Sequence, residues 1–361
     1  MSIPHFHTVK IKNIKRETDT CVAVSIEIPT DLKKDFIYQA GQYITFKKMF
    51  DGEEIRRSYS LSSSPLENIH TVAIKEVEGG KFSTFANREM KIGDEIEVMS
   101  PMGNFTTNID ANQSKHYLAF AAGSGITPIM SLIKTILATE PQSTFTLIFG
   151  NQNFYTIIFR EELEALKNIY LGRLHVIHIL SRERLESDIN FGRINDEKCE
   201  QLFSKMIDVK KMNQFFMCGP EEMIHNVKKY LEHKGVNSVN IHFELFTSDY
   251  AAKHKEAFKQ KHQHELGKVS MVTIKVDDRS IEIPLAFGGD TILDAALKHG
   301  VDLPFACKGG VCCTCRAKVT EGTVEMEANY ALEKDEVANG FVLTCQSHPT
   351  SERVVVDFDE R

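Results

Sequence analysis

At 361 residues the chain exceeds one ordinary core, so two or three domains are expected. Hydrophobic residues make up 42% and charged ones 26%, the balance of a globular protein in water, and the net charge of −7 disfavours a nucleic-acid partner. The longest uncharged run, Tyr117 to Ile133, is broken by Gly123, Gly125 and Pro128 and is short for a bilayer span, so no membrane association is expected.

Met1 to Asp19 carries Lys, Arg and His and no apolar h-region, which reads against a secretory signal. Cys21, Cys199 and Cys218 are scattered singly, a pattern that suits a reducing cytoplasm. From His7 to about Gly103 the pattern is of short strands separated by turn residues: Val9–Lys12, Cys21–Ile28, Tyr43–Phe46, His70–Val77 and Glu95–Val98. Such spacing predicts a small β-barrel or sandwich.

Two stretches in this region carry chemistry. In Arg57-Ser58-Tyr59-Ser60-Leu61-Ser62-Ser63-Ser64-Pro65, an arginine suited to phosphate oxygens precedes an aromatic face and a comb of hydroxyls. That set suits a dinucleotide with a flat ring and a pyrophosphate; an exposed polar turn would show the same residues. In Gly79-Gly80-Lys81-Phe82-Ser83-Thr84, glycines open a short helix whose free N–H groups can face a phosphate, although an ordinary cap reads alike.

After Ser114 strands and helices alternate. Tyr117–Ala122 is a continuous apolar run, as in a parallel strand covered on both faces. Gly123-Ser124-Gly125-Ile126-Thr127-Pro128 follows, with Thr127 expected as N-cap and Pro128 as the first helical residue. Strands at Phe145–Phe149, Leu174–Leu180 and Gln214–Met217 with helices near Arg160–Lys167 and Glu221–His233 predict an open parallel sheet with its ligand beyond the strand C-termini. Gly123-x-Gly125 alone is a weak signal; the whole GSGITP stretch with Cys218-Gly219-Pro220 is much more specific. No His or acid adjoins Cys218 in sequence to activate it, so a positioning role fits better than a nucleophile.

Residues 251–268 hold five lysines and His254, His262 and His264 with few large apolar residues, and read as a tether rather than a metal tract. Beyond it, Met271–Val276, a turn at Asp277-Asp278 and Ser280–Ile283 form a hairpin pattern. Thr291 with Asp294 imitates a capping box, Gly300 supplies a stop, and Val354–Phe358 reads as a closing strand.

Cys307, Cys312, Cys315 and the distant Cys345 are spaced C-x4-C-x2-C…C, the ligand spacing of a plant-type [2Fe–2S] cluster. Gly309 and Gly310 allow the loop to curl around the inorganic core. Zinc is the main rival, but its sites usually take paired C-x2-C ligands, and a second pair is absent. A disulfide framework would need an oxidising compartment. Cys313 breaks the spacing and is expected to pack as a small non-ligand. Residues 269–361 carry 16 acidic and 9 basic side chains, so the whole net charge resides there. This is either a solvated acidic module or a face that steers docking to a basic electron acceptor.

In this order, the motifs resemble the ferredoxin–NADP reductase superfamily with a C-terminal plant-type [2Fe–2S] domain. The resemblance implies a multidomain chain: an FAD-binding β-barrel domain at 1–110, an NAD(P)-binding α/β parallel-sheet domain at 111–248, a linker at 249–268 and a β-grasp ferredoxin-like domain at 269–361. It implies that Arg57 contacts the flavin pyrophosphate, Tyr59 packs on the ring and Ser60 faces N5, with Gly80, Lys81, Phe82, Ser83 and Thr84 as a second phosphate loop. Gly123, Gly125, Thr127, Pro128, Cys218, Gly219 and Pro220 fall on the nicotinamide nucleotide site. Ser181 and Arg182 fall on the grip for the 2′-phosphate of NADPH, which favours NADPH over NADH; a solvent-facing strand end is the alternative. Phe246 falls where relatives place an aromatic near the flavin, although a core position is also open to it.

The implied activity is a relay from hydride through FAD and [2Fe–2S] to a separate oxygenase. Within the superfamily the cluster loop, Gly322–Met326 and Leu343–Ser347 most resemble the reductase-subunit family of phenylacetyl-CoA epoxidase, which implies a di-iron oxygenase as acceptor, in phenylacetate degradation. A reductase for another oxygenase, a desaturase or a hybrid-cluster protein is a second reading, and a flavin and iron–sulfur redox sensor a third.

Overall fold

The computed structural model describes residues 5–246, 258, 261 and 268–360. The expected tether, with its three histidines, lies almost wholly outside them. The chain forms two compact units, one built on residues 7–55 and 59–246, the other on the described residues from 268 onward, with which residues 5–6 and 56–58 are grouped.

The first unit begins with strands β1 (Phe6–Thr18), β2 (Cys21–Glu27), β3 (Tyr43–Phe50), β4 (Glu53–Ser60), β5 (His70–Lys75) and β6 (Glu95–Met102), with helix α1 (Lys81–Arg88) between the last two. Their order in the sheet is β4-β3-β6-β1-β2-β5, and a bridge from Leu61 to Val72 brings the two edges together as a barrel. β2 explains why its stretch shows no clean alternation. Val22, Val24 and Ile26 fill the barrel core, whereas Cys21 and Ala23 join the core of the neighbouring α/β layer.

That layer contains β7 (His116–Ala122), α2 (Ile126–Thr139), β8 (Thr144–Asn151), α3 (Arg160–Ile169), β9 (Leu174–Leu180), α4 (Asp196–Lys205), β10 (Gln214–Cys218), α5 (Glu221–His233) and β11 (Ile241–Glu244). The strands are parallel in the order β11-β10-β7-β8-β9. The chain winds outward from β7 one way and returns to its other side at β10, so the switch point lies between the C-terminal ends of β7 and β10. Helix α4, which the sequence pattern did not reveal, is polar on most positions and is fixed by Asn195, whose side chain accepts from the Lys198 N–H at 2.9 Å. Thr127 is not the N-cap of α2. A tight turn over Gly123–Gly125 runs directly into the helix, which starts at Ile126, and the Thr127 hydroxyl donates back to the Ser124 carbonyl at 3.0 Å.

The second unit pairs β12 (Val269–Val276) with β13 (Arg279–Ala286) through Asp277 and Asp278, both at positive φ as a type I′ hairpin turn requires. It continues with α6 (Ile292–Lys298), β14 (Arg316–Glu321), β15 (Val324–Met326), α7 (Lys334–Ala338), β16 (Phe341–Leu343), β17 (Ser347–Pro349) and β18 (Arg353–Asp357). The main sheet is ordered β13-β12-β18-β14-β16, with β18 parallel to β12 and α6 packed in its core. Thr291 caps α6 by accepting from the Asp294 N–H at 3.2 Å.

Candidate functional sites

The Arg57–Ser60 stretch is the end of β4 and not a turn. Period-two alternation sends Arg57 and Tyr59 to one face and Ser60 to the other. Arg57 is exposed, and its Nη1 donates to the Arg56 carbonyl at 2.8 Å. Tyr59 is half-buried against Phe46 and Phe82, with ring centroids 5.9 and 5.8 Å away. The hydroxyls beyond Ser60 are engaged within the protein. Ser62 donates to the Thr71 carbonyl, Ser63 meets Tyr38 at 2.8 Å, and Ser64 meets Thr135 of α2 at 2.8 Å. Ser131 of α2 donates to the Ser63 carbonyl at 2.6 Å, so this comb fastens α2 to the barrel.

Helix α1 starts at Gly80 without a side-chain cap, which leaves first-turn N–H groups open to an anion. Of the side chains there, Lys81 pairs with Glu53, and the Ser83 hydroxyl is engaged by the Val77 N–H and the Gly80 carbonyl. Phe82 is buried and Thr84 half-buried. The uncapped helix, the exposed arginine and the half-covered tyrosine fit the pyrophosphate and ring of a flavin nucleotide.

The two nucleotide motifs meet at the switch point. A Cβ on Gly125 would lie 2.0 Å from the Cys218 carbonyl oxygen, and one on Gly219 would lie 2.8 Å from Met223 Cε. At Gly125 the obstacle is backbone, so only glycine there lets the two turns approach this closely. Pro128 is buried in the first turn of α2, and Pro220 precedes α5. Ser181 and Arg182 continue from β9; their N–H groups bond to the carbonyls of Asn151 and Gln152 at 2.9 and 2.8 Å, and the Arg182 side chain is exposed. Cys218 is fully buried, and burial first, then Glu244, holds its thiol well above the ordinary value. It is therefore neutral, as a positioning role requires.

Glu244 is the residue that sequence reasoning passed over. It ends β11 directly opposite Cys218, and its Oε2 accepts from the Ser60 hydroxyl at 2.8 Å. Although part of the side chain remains accessible, surrounding protein pushes the carboxyl up to about 7, against the opposing pull of Ser60. A lone Glu within Phe243–Phe246 carries no spacing signal, and only the fold brings it to Ser60. Phe246 lies beyond β11 and is 37% exposed, which removes the core alternative.

In the second unit the four spaced cysteines converge. Cys307 and Cys312 have their sulfurs 3.1 Å apart, and the Cys345 thiol interacts with those of Cys307 and Cys315. Among the described residues no three His, Cys, Asp or Glu side chains form a cage for a single ion. Four sulfurs converging from one loop and one later segment are the donor set for two irons that each take two protein sulfurs. Cys312 is held well above the ordinary thiol value by its bond with Cys307 and then by burial. A cationic centre among the sulfurs reverses that preference, so the donor set fits the cluster.

The loop's strain falls differently from expectation. Lys308 takes a positive φ of 51° and Gly310 one of 73°, whereas Gly309 does not. A Cβ on Gly310 would sit 3.1 Å from Gln346 Cγ. The Gly309 N–H points to Cys307 Sγ at 3.3 Å, and Gln346 Nε2 to Cys345 Sγ at 3.7 Å. Cys313 turns away and donates to the Ala331 carbonyl at 3.2 Å.

Comparison with known proteins matches this division of labour. Residues 9–107 match an oxidoreductase FAD-binding domain, residues 120–229 an oxidoreductase NAD-binding domain, and residues 274–350 a 2Fe-2S iron-sulfur cluster binding domain. The chain is 41% identical to one of the subunits of 1,2-phenylacetyl-CoA epoxidase from Escherichia coli (strain K12), across 99% of this chain and 98% of that one. It is 28% identical to the ferredoxin reductase component of 3-ketosteroid-9-alpha-monooxygenase from Rhodococcus rhodochrous, across 96% and 95%. In fold it is similar to phthalate dioxygenase reductase, a modular structure for electron transfer from pyridine nucleotides to [2Fe–2S], with a TM-score of 0.58 at 20% identity over 98% of both chains. The chain belongs to the family of flavin and iron–sulfur reductase components of multicomponent oxygenases, which includes the corresponding component of 1,2-phenylacetyl-CoA epoxidase.

Proposed function

We propose that this reductase takes its electrons from NADPH and delivers them to a di-iron oxygenase that epoxidises phenylacetyl-CoA, in the cytoplasm. The observation that carries the reading is the 41% identity over 99% of this chain and 98% of the relative. No helix among the described residues is long and apolar enough to cross a membrane. The proposed modules are 1–110 for flavin, 111–248 for the nicotinamide nucleotide and 269–361 for the cluster, joined by 249–268.

When bound, FAD exchanges an electron pair with the nicotinamide and single electrons with the cluster. The chain's own work is placement. Arg57 and the N–H groups of Gly80 to Thr84 hold the flavin's phosphates, and Tyr59 supports its ring. Gly123, Gly125, Thr127 and Pro128, with Gly219 and Pro220, seat the nucleotide's pyrophosphate, while Ser181 and the exposed Arg182 guanidinium take the 2′-phosphate. Cys218 lies at the nicotinamide position and Phe246 near the flavin ring. The Ser60 Oγ and Glu244, with a carboxyl poised near neutral pH, hold the proton that accompanies the arriving charge. Cys307, Cys312, Cys315 and Cys345 hold the irons.

The test is reconstitution. Purified reductase with NADPH, phenylacetyl-CoA and a di-iron oxygenase component should give substrate-dependent oxygen uptake and an epoxide product. Uptake with the oxygenase of a 3-ketosteroid system instead would reassign the acceptor.

A further inference from the structure

Asn151 ends β8, and among the described residues its carboxamide has no hydrogen-bond partner at either Oδ1 or Nδ2, although the residue is only 8% exposed. Its backbone is accounted for, because its carbonyl accepts from the Ser181 N–H at 2.9 Å. Buried amides are almost always satisfied, and leaving both atoms bare weakens a fold, so such a pair calls for a partner that arrives from outside. The strand's alternation places Asn151 on the face of Phe145, Leu147 and Phe149, which lie in the core shared with α2. Asn151 thus stands at the C-terminal edge of the sheet, on the side of α2 and one strand from the Gly123–Gly125 turn.

We propose that Asn151 binds the dinucleotide at the junction of ribose and pyrophosphate. The reasoning is chemical: one orphan atom is a donor and the other an acceptor, and a phosphate oxygen beside a ribose hydroxyl offers the matching pair. The inference rests on the reading that the nucleotide lies over the Gly123–Pro128 turn. Because the junction is common to NADP+ and NAD+, Asn151 sets affinity for both and leaves the choice between them to Arg182.

The experiment is equilibrium titration of the full-length, cofactor-loaded protein with NADP+ and with NAD+, alongside thermal melting. Asn151→Leu, close in size and without polar atoms, should weaken both nucleotides by about tenfold or more, in equal measure, with no loss of melting temperature. Asn151→Asp should weaken both further by setting a carboxylate against the pyrophosphate, and this variant decides the matter if the leucine variant does not fold. Unchanged affinities with a shifted melting temperature would overturn the proposal and make Asn151 a water-bound structural residue. A changed NADP+ to NAD+ ratio would overturn the junction assignment. Arg182→Ala serves as the control: if it changes the ratio while the Asn151 variants do nothing, this inference alone fails, and if it too is inert the underlying nucleotide reading falls with it.

Discussion

In the flavin and nucleotide unit the reactive end is made of groups whose ionisation burial disfavours, Cys218 and Glu244, beside backbone turns that only glycine allows to touch. In the cluster unit it is made of four converging sulfurs, of which Cys312 is held well above the ordinary thiol value by its bond with Cys307 and then by burial, a preference that a cationic centre reverses. The first arrangement is complete as folded and waits for ligands of opposite polarity to settle on it. The second is unfavourable to ionise as folded and becomes favourable with its inorganic core. The comparison teaches that pair transfer and single-electron transfer ask different things of a chain: poised protons at one end, captive sulfur at the other.

The largest test of that contrast is Cys345→Ser. One iron then lacks a protein sulfur, so the visible absorption of the cluster should vanish, while reduction of the flavin by NADPH in stopped flow continues at its normal rate. Loss of both signals would show that the two units do not work separately.

Glu244 sharpens the other side. A carboxyl raised to about 7 favours the folded unit in its protonated form. That stability is fully present below the ordinary carboxylate value and is lost as pH rises through about 7. The flavin and nucleotide unit should therefore melt lower at pH 8 than at pH 5, and Glu244→Gln should flatten that slope. The same variant should slow flavin reduction by roughly 10²-fold if the carboxyl handles a proton. A slope unchanged by the substitution would mean that another group sets it.

Charge separates the units as well. Acidic side chains such as Asp277, Asp278, Glu282, Glu333 and Asp335 are exposed on the cluster unit, and residues 7–246 lack any comparable excess. If the acidic face steers docking, raising salt from about 0.01 M to about 0.5 M, which shortens the Debye length from about 30 Å to about 4 Å, should slow electron delivery to the oxygenase several-fold. Reduction of ferricyanide, a small anion, should not slow with it. Equal slowing of both would leave the acidic surface as a solvated face.

The cluster unit was the more legible of the two because its ligands are tied to one short loop, so spacing alone carried Cys307, Cys312 and Cys315 and needed only Cys345 from afar. The parallel sheet was legible from its apolar runs, and the nucleotide turns from their glycines. What stayed hidden was contact across distance. Ser60 and Glu244 meet across 184 positions, and no local pattern marks either. The Ser62–Ser64 comb was readable as polar but not as a fastening to α2, because its partners there, Ser131 and Thr135, lie 68 and 71 positions away in sequence. Thr127 misled for the opposite reason: Thr-Pro is a sound local start signal, overridden by a glycine turn that had already begun the helix.

The smallest expected effect tests whether the cluster loop is as tightly assigned as its spacing suggests. Cys313 is 8% exposed, belongs to the apolar core of its unit and points its sulfur at the Ala331 carbonyl. A hydroxyl at that position keeps the donor and shortens the bond, while the loss of the larger sulfur leaves a small packing defect. These two changes oppose each other, so Cys313→Ser should shift stability by about 1 kcal/mol or less, a few degrees of melting temperature at most. The cluster's absorption should be unaltered, since none of its four sulfurs has changed. A variant that binds iron poorly would make Cys313 a ligand in exchange with Cys312 or Cys315, and the pairing of Cys307 with Cys312 would then have to be redrawn.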